Sequence, residues 1–205
     1  MALIKGKTSQ KIRTTHRYLG LFLGIQFLFW TISGLYFSWT ELDEIHGDHF
    51  KKVKVKNQFK NLLSPSELNF GAAINFLELK EIAGIPYYWI NGTKLINAYD
   101  GDVKDSITKQ EAIIISNNNI LDEYKISDIE IINEVGNHHE YRGRPLPAYV
   151  ISYEGSDKLK SYISIKDGQF QTVRHRSWRW FDFLWMTHTM DYDCLLYTSP
   201  SPRVA

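Results

Sequence analysis

The chain has 205 residues, enough for one ordinary domain, and a formal net charge of +1, which gives no global case for nucleic acid as a partner. A hydrophobic fraction of 43% and a slightly negative mean hydropathy would suit a soluble protein, but the apolar residues are gathered unevenly. Cys194 is the only cysteine, which excludes a disulfide framework and a thiolate metal site.

Residues 1–17 are basic, with Lys5, Lys7, Lys11, Arg13 and Arg17. Tyr18 to Trp39 then reads YLGLFLGIQFLFWTISGLYFSW, without a charged residue. As a helix it would span about 33 Å, close to the thickness of a bilayer's hydrocarbon layer. Glu41, Asp43 and Glu44 follow it. The positive-inside bias therefore predicts a transmembrane helix over 18–39 with the N-terminus in the cytoplasm. Tyr36 and Trp39 suit an interfacial aromatic belt. A cleaved signal peptide is the competing reading, but the apolar run is long and no small-x-small site follows it. His16, Gly20 and Gly24 lie four apart and share one face. Glycines there admit a neighbouring helix or a flat ligand, and a histidine at the edge of such a face can ligate haem iron. An interfacial histidine beside packing glycines would show the same spacing.

Residues 40–175 predict an extracytoplasmic α+β domain. His46 and His49 are spaced to share a metal on a helix, with Asp43 and Asp48 nearby, but Gly47 lies between them and solvated surface explains them equally. Ser64, Pro65 and Glu67 form a helix-start signature, which predicts a helix through Ala72, Ala73, Phe76 and Leu77 to about Glu81, ended by Gly84 and Pro86. Tyr87–Ile90 and Lys94–Tyr99 flank Asn91-Gly92 as a hairpin, and Asp100-Gly101 turns into a short strand at Val103. Ser106–Ile115 reads as a helix. A looser second unit follows: a helix start and strand within Ile126–Glu134, then strands at Ala148–Tyr153, Lys160–Ile165 and Gln169–Val173. The turns at Glu154–Asp157 and Asp167-Gly168 connect these last strands. His138, His139 and Glu140 sit among Arg142 and Arg144 in a polar stretch where structural or surface roles are expected.

Residues 176–193 predict the start of a second transmembrane helix, carrying His188, with Arg174 just before it and Arg176 and Arg179 at its beginning. Those arginines would meet lipid phosphates or other acidic groups. Residues 194–205, CLLYTSPSPRVA, share neither composition nor pattern with the rest. They resemble translated read-through of a sequencing-library adapter, so the tail is expected to be non-native and the chain a fragment.

Taken together, these residues resemble the PepSY-associated transmembrane family. The N-terminal signature is Arg13-x-x-His16 with Gly20, Gly24 and Ser33-Gly34. The middle carries Tyr99-x-Gly101 before Glu111-Ala112, then Leu146-Pro147-x-Tyr149, Tyr162, Gly168 and Val173. The most specific part is Arg176-x-x-Arg179-x-Phe181-Asp182-x-Leu184-x-x-x-His188-x-Met190-Asp191. The resemblance implies a bacterial cytoplasmic (inner) membrane protein with PepSY-like helix-plus-antiparallel-hairpin modules outside. It further implies a part in haem-dependent transmembrane electron transfer or ferric-siderophore reduction in iron uptake. Haem b is the implied cofactor, with His16 near the cytoplasmic face and His188 near the outer face as ligands. The two are too far apart to share one iron, so each needs a partner from further membrane helices or subunits, which this chain lacks. The alternative is a non-enzymatic, membrane-tethered PepSY module that binds or restrains an envelope protein, and a third option is a metal sensor using His46 and His49. No nucleophile–base pair, phosphate loop or carboxylate pair supports hydrolytic or transferase chemistry.

Overall fold

A computed structural model describes residues 6–53, 57–68, 71 and 73–189. Ala72 of the expected helix, Met190 and Asp191 of the closing signature, and the whole tail 194–205 lie outside this set. The chain divides into two compact units. One comprises the N-terminal helix with the residues from Trp180 onward, and the other is Leu42–Arg179.

The first unit is built on helix α1, Gly6–Trp39. At 34 residues it is about 51 Å long. Its charges are confined to the first turns, and the uncharged stretch then presents Leu21, Phe22, Phe27 and Leu28 more than half exposed. A helix in a soluble domain buries an apolar stripe and keeps a polar face. This one is apolar all round, and Ser33 is its one buried residue among those described. Helix α4, Arg176–His188, begins in the second unit and contributes its later turns to the first. There Phe37 of α1 receives Phe181, Trp185 and His188 edge-on, at ring-centroid separations of 4.9, 5.6 and 5.3 Å.

The second unit is α+β. A short helix, α2 (Leu42–His46), stops at Gly47, whose φ of 70° is left-handed, and a 3-10 turn follows at Asp48–Phe50. One antiparallel meander comprises β1 (Leu77–Ile82), β2 (Ile85–Ile90), β3 (Lys94–Asn97) and β4 (Val103–Lys104), in that order. Helix α3 (Lys109–Asn119) leads to a second meander of β5 (Ile126–Ile132), β6 (Ala148–Tyr153), β7 (Lys160–Ser164) and β8 (Phe170–Arg174). The main core gathers residues from both sheets and α3, including Ile82, Trp89, Leu95, Ile115, Ile151 and Ile163. Burial at this scale, at about 25 cal/mol per Å² of apolar surface, is what offsets the ordering of the chain.

Several boundaries differ from the sequence expectation. The Ser64 capping box forms, with Glu67 returning a bond to the Ser64 amide, but it starts only a 3-10 turn at Pro65–Glu67. Leu77–Ile82, expected to finish a helix, is strand β1 instead. Of the two residues expected to stop that helix, Gly84 forms a two-residue hairpin turn with Ala83 (φ 88° and 52°), joining Ile82 to its partner Ile85, and Pro86 lies in β2. Helix α3 starts later than Ser106, because Thr108 is the cap that bonds the Glu111 amide. Ile126–Ile132 is strand throughout, paired with β6, so no helix begins there. Strand β2 begins earlier than expected, at Ile85, and β3 ends at Asn97. The turns at Asn91-Gly92, Asp100-Gly101 and Asp167-Gly168 are where the sequence placed them, each with its glycine at positive φ.

Candidate functional site

His188 is the best-oriented of the histidines singled out. It sits at the last position of α4 and lies against α1. Its Nδ1 is 2.8 Å from Ser33 Oγ and 3.2 Å from the Trp30 carbonyl oxygen. A carbonyl only accepts, so Nδ1 carries the proton. The Ser33 hydroxyl donates to the Phe29 carbonyl at 2.7 Å, which leaves its oxygen free to accept from the same Nδ1–H. Of the two neutral tautomers this geometry accepts only the one with its lone pair on Nε2. The indole of Trp30 stacks on the imidazole at 5.2 Å with planes 10° apart, and Phe37 closes another side. A Cβ at Gly34 would lie 3.4 Å from His188 Cε1, in ordinary contact, so a side chain larger than alanine there would meet the ring. Gln26 adds a polar tie one turn further back, donating to the Thr187 carbonyl at 3.2 Å.

Chemically, this is the arrangement that orients an imidazole for metal ligation: one nitrogen held by a carbonyl and a hydroxyl, the other left to donate. Ser33 and Gly34 stood in the sequence signature, but Trp30 as the platform was not foreseen. Stacking between residues 158 apart leaves no local trace.

His16 is exposed, and Cβ atoms built at Gly20 and Gly24 would meet nothing within 4 Å. Its face is open, and the structure does not bring it to His188. Ser33, the residue His188 touches, is 17 positions along α1, about 25 Å of helix rise.

The other histidines singled out are not brought together as ligands. His46 ends α2 and Gly47 breaks the helix, so His46 and His49 do not share a helical face. The His49 ring instead packs on Phe50 at 4.0 Å. His139 Nδ1 accepts from the Tyr141 amide at 3.1 Å. Among the described residues, no group of three His, Cys, Asp or Glu side chains is placed to hold a metal ion.

Two polar residues, one buried and one half-buried, have partners that the sequence did not reveal. His175, 2% exposed, points Nε2 at the Ile45 carbonyl at 3.1 Å and meets Phe50 edge-on. Burial holds it below the ordinary histidine range, although the bond to Ile45 works the other way. Glu140 is the second. Its carboxylate takes Arg179 Nε at 2.6 Å and Arg179 Nη2 at 3.1 Å, and receives the Tyr162 hydroxyl at 2.5 Å. Burial pushes its acidity down, but the Arg179 and Tyr162 bonds outweigh that and keep its pKa below the usual carboxylate value. Arg174 donates to the Glu140 carbonyl and stacks over Trp178 at 3.9 Å. The acidic partner expected for these arginines is thus Glu140 in the case of Arg179.

Comparison with known proteins adds nothing to this geometry. No family model, curated protein or solved structure matches the chain.

Proposed function

We propose that this is a PepSY-associated transmembrane protein of the bacterial cytoplasmic membrane, acting in haem-dependent electron transfer or ferric-siderophore reduction for iron uptake. In this reading α1 crosses the bilayer from a cytoplasmic N-terminus, and Leu42–Arg179 is the extracytoplasmic PepSY-like domain. The all-round apolar surface of α1, bounded by basic residues before and acidic residues after, supports the crossing.

The single observation that carries the cofactor proposal is the pinned Nδ1–H of His188. The residues present fit haem b at this position: an imidazole whose Nδ1–H is engaged, leaving Nε2 as the ligating atom, beside the rings of Trp30 and Phe37. When bound, the haem supplies one-electron redox chemistry. His188 would hold the iron, and Ser33 and the Trp30 carbonyl would fix the ring and raise its basicity. His16, on the face kept clear by Gly20 and Gly24, is the second candidate ligand. Each needs a partner histidine from a further helix or subunit. The test is the absorption spectrum of membranes containing the protein made in haem-replete cells. A Soret band lost in His188→Ala is expected; the protein in membranes without any Soret band contradicts the reading.

One observation favours a second reading, a tethered module that binds or restrains an envelope protein. Leu42–Arg179 has its own core and hydrogen-bonded sheets. That reading expects cross-linking in intact cells to trap the same envelope protein with wild type and with His188→Ala.

A further inference from the structure

His175 stands between β8 and α4 and is buried, yet it has no part in the site around His188. Its Nε2 is 3.1 Å from the Ile45 carbonyl oxygen of α2. A carbonyl only accepts, so Nε2 carries the proton of the neutral ring. The ring meets Phe50 edge-on with centroids 5.0 Å apart, and His49 at right angles at 5.6 Å. Gly47 keeps room for it, since a Cβ there would stand 3.4 Å from His175 Cδ2. The bond joins two places far apart in sequence. The chain enters the second unit at Leu42 and leaves it at Arg179, so Ile45 lies just inside the entry and His175 just inside the exit.

Helix α2 has five residues, far too few to hold itself in water, so it depends on what it touches. Its holds are the bond to His175 and the buried side chain of Ile45. From Phe50 onward the chain is fastened by other means. The Leu121 amide donates to the Phe50 carbonyl at 3.0 Å, and the Lys52 amide donates to the Asn119 carbonyl at 2.8 Å. Leu42–His49 can therefore part from the ring about Phe50 while the sheets keep their own bonds. A second proton on His175 would put a charge into this space. Burial opposes that proton most, and charged His49 from the 3-10 turn and Arg179 from α4 oppose it too. The Ile45 carbonyl, and Asp157 from the turn between β6 and β7, favour it. The net effect keeps the closed ring below the ordinary value of 6.5. A ring returned to water regains that value, so acid favours the open form.

We propose that His175 is an acid-operated latch: its protonation releases Leu42–His49 from the rest of the second unit while the two sheets stay folded. The latch is independent of the haem reading, because it uses only residues of Leu42–Arg179.

The test is amide hydrogen exchange of the full chain in detergent, read by mass spectrometry between about pH 7.5 and about pH 5.5. Rates are corrected for the intrinsic pH dependence of exchange. Protection in peptides covering 43–50 should be at least about tenfold below that of β6 and β7 at every pH, which separates release of the segment from unfolding of the whole unit. It should fall several-fold over this range, and by no more than about tenfold, the ceiling for an open ring that titrates at 6.5. His175→Gln keeps an N–H donor for the Ile45 carbonyl but does not titrate, and its protection in 43–50 should not change with pH. His49→Gln should keep the fall. Strong protection in β6 and β7 shows that a variant is folded, and if His175→Gln is not, wild type and His49→Gln still decide. Four results would each overturn the proposal: equal protection in the two regions, no pH dependence or no protection of 43–50 in wild type, a fall that survives in folded His175→Gln, or a fall that disappears in folded His49→Gln.

Discussion

At His188 the decisive atom is a proton. With Nδ1–H committed to Ser33 and the Trp30 carbonyl, ring orientation depends on α1 as much as on α4. On the haem proposal, Ser33→Ala leaves the Trp30 carbonyl as the remaining acceptor and should weaken haem retention by about tenfold or less. Gly34→Leu places a side chain where His188 Cε1 lies and should weaken it by at least about tenfold, the range typical of residues that position a ligand. Haem content per protein after purification measures both. His175 gives a different prediction, in pH. Its folded pKa is depressed below the ordinary 6.5, mainly by burial, so the unfolded chain binds the extra proton first. Its contribution is complete above pH 6.5 and is lost as pH falls below that value toward the folded pKa. Glu140, depressed from 4.5 by Arg179 and Tyr162 against the opposing effect of burial, adds a further loss below about pH 4.5. Thermal unfolding followed from pH 8 to 4 should show stability beginning to fall near 6.5. In His175→Phe that first slope should vanish, while the orphaned Ile45 carbonyl costs about 1–3 kcal/mol. His175 was not legible in the sequence; for Glu140 a structural or surface role was, but its partners Arg179 and Tyr162 were not. His175 is buried because Gly47 lets Phe50 and the His175 ring approach within 3.3 and 3.4 Å of where a Cβ would stand, a contact between distant segments.

At the scale of elements, what the sequence revealed was what is chemically local. Asn91-Gly92, Asp100-Gly101 and Asp167-Gly168 specify turns because their glycines supply the positive φ directly. Strand β6 came out with its observed ends because its β-branched and aromatic run is buried on both faces. Strand β1 was misread because Leu, Glu and Lys are good helix formers, and its extended state is imposed by pairing with β2 through the Ala83-Gly84 turn. The two capping boxes show the limit of local signals: both form, but only the one at Thr108 is followed by residues that pack a helix, with Ala112, Ile115 and Ser116 buried. Thr108→Ala should therefore cost about 1 kcal/mol in urea unfolding. Ser64→Ala, capping an exposed 3-10 turn, should cost less than half of that. Equal costs would mean that the Ser64 turn carries structural weight not apparent in its exposed setting.

Across the whole molecule, the two units are suited to different solvents. Leu42–Arg179 collects its apolar side chains inside, whereas α1 turns them outward along its uncharged length. Detergent or lipid should therefore be required to keep the full chain dispersed. The long apolar helix was legible because hydropathy is a property of a continuous stretch; the clamp on His188 was not, because it joins residues 155 positions apart. The central claim is that α1 spans the bilayer with its N-terminus inside and the second unit outside. The most direct measurement is labelling of intact cells, with the outer membrane made permeable where one is present, by a membrane-impermeant thiol reagent in a Cys194→Ser background. Glu123→Cys, exposed in the second unit, should label in intact cells, and Lys7→Cys only after the cytoplasmic membrane is opened. Labelling of both before lysis, or of Lys7→Cys alone, would contradict the account.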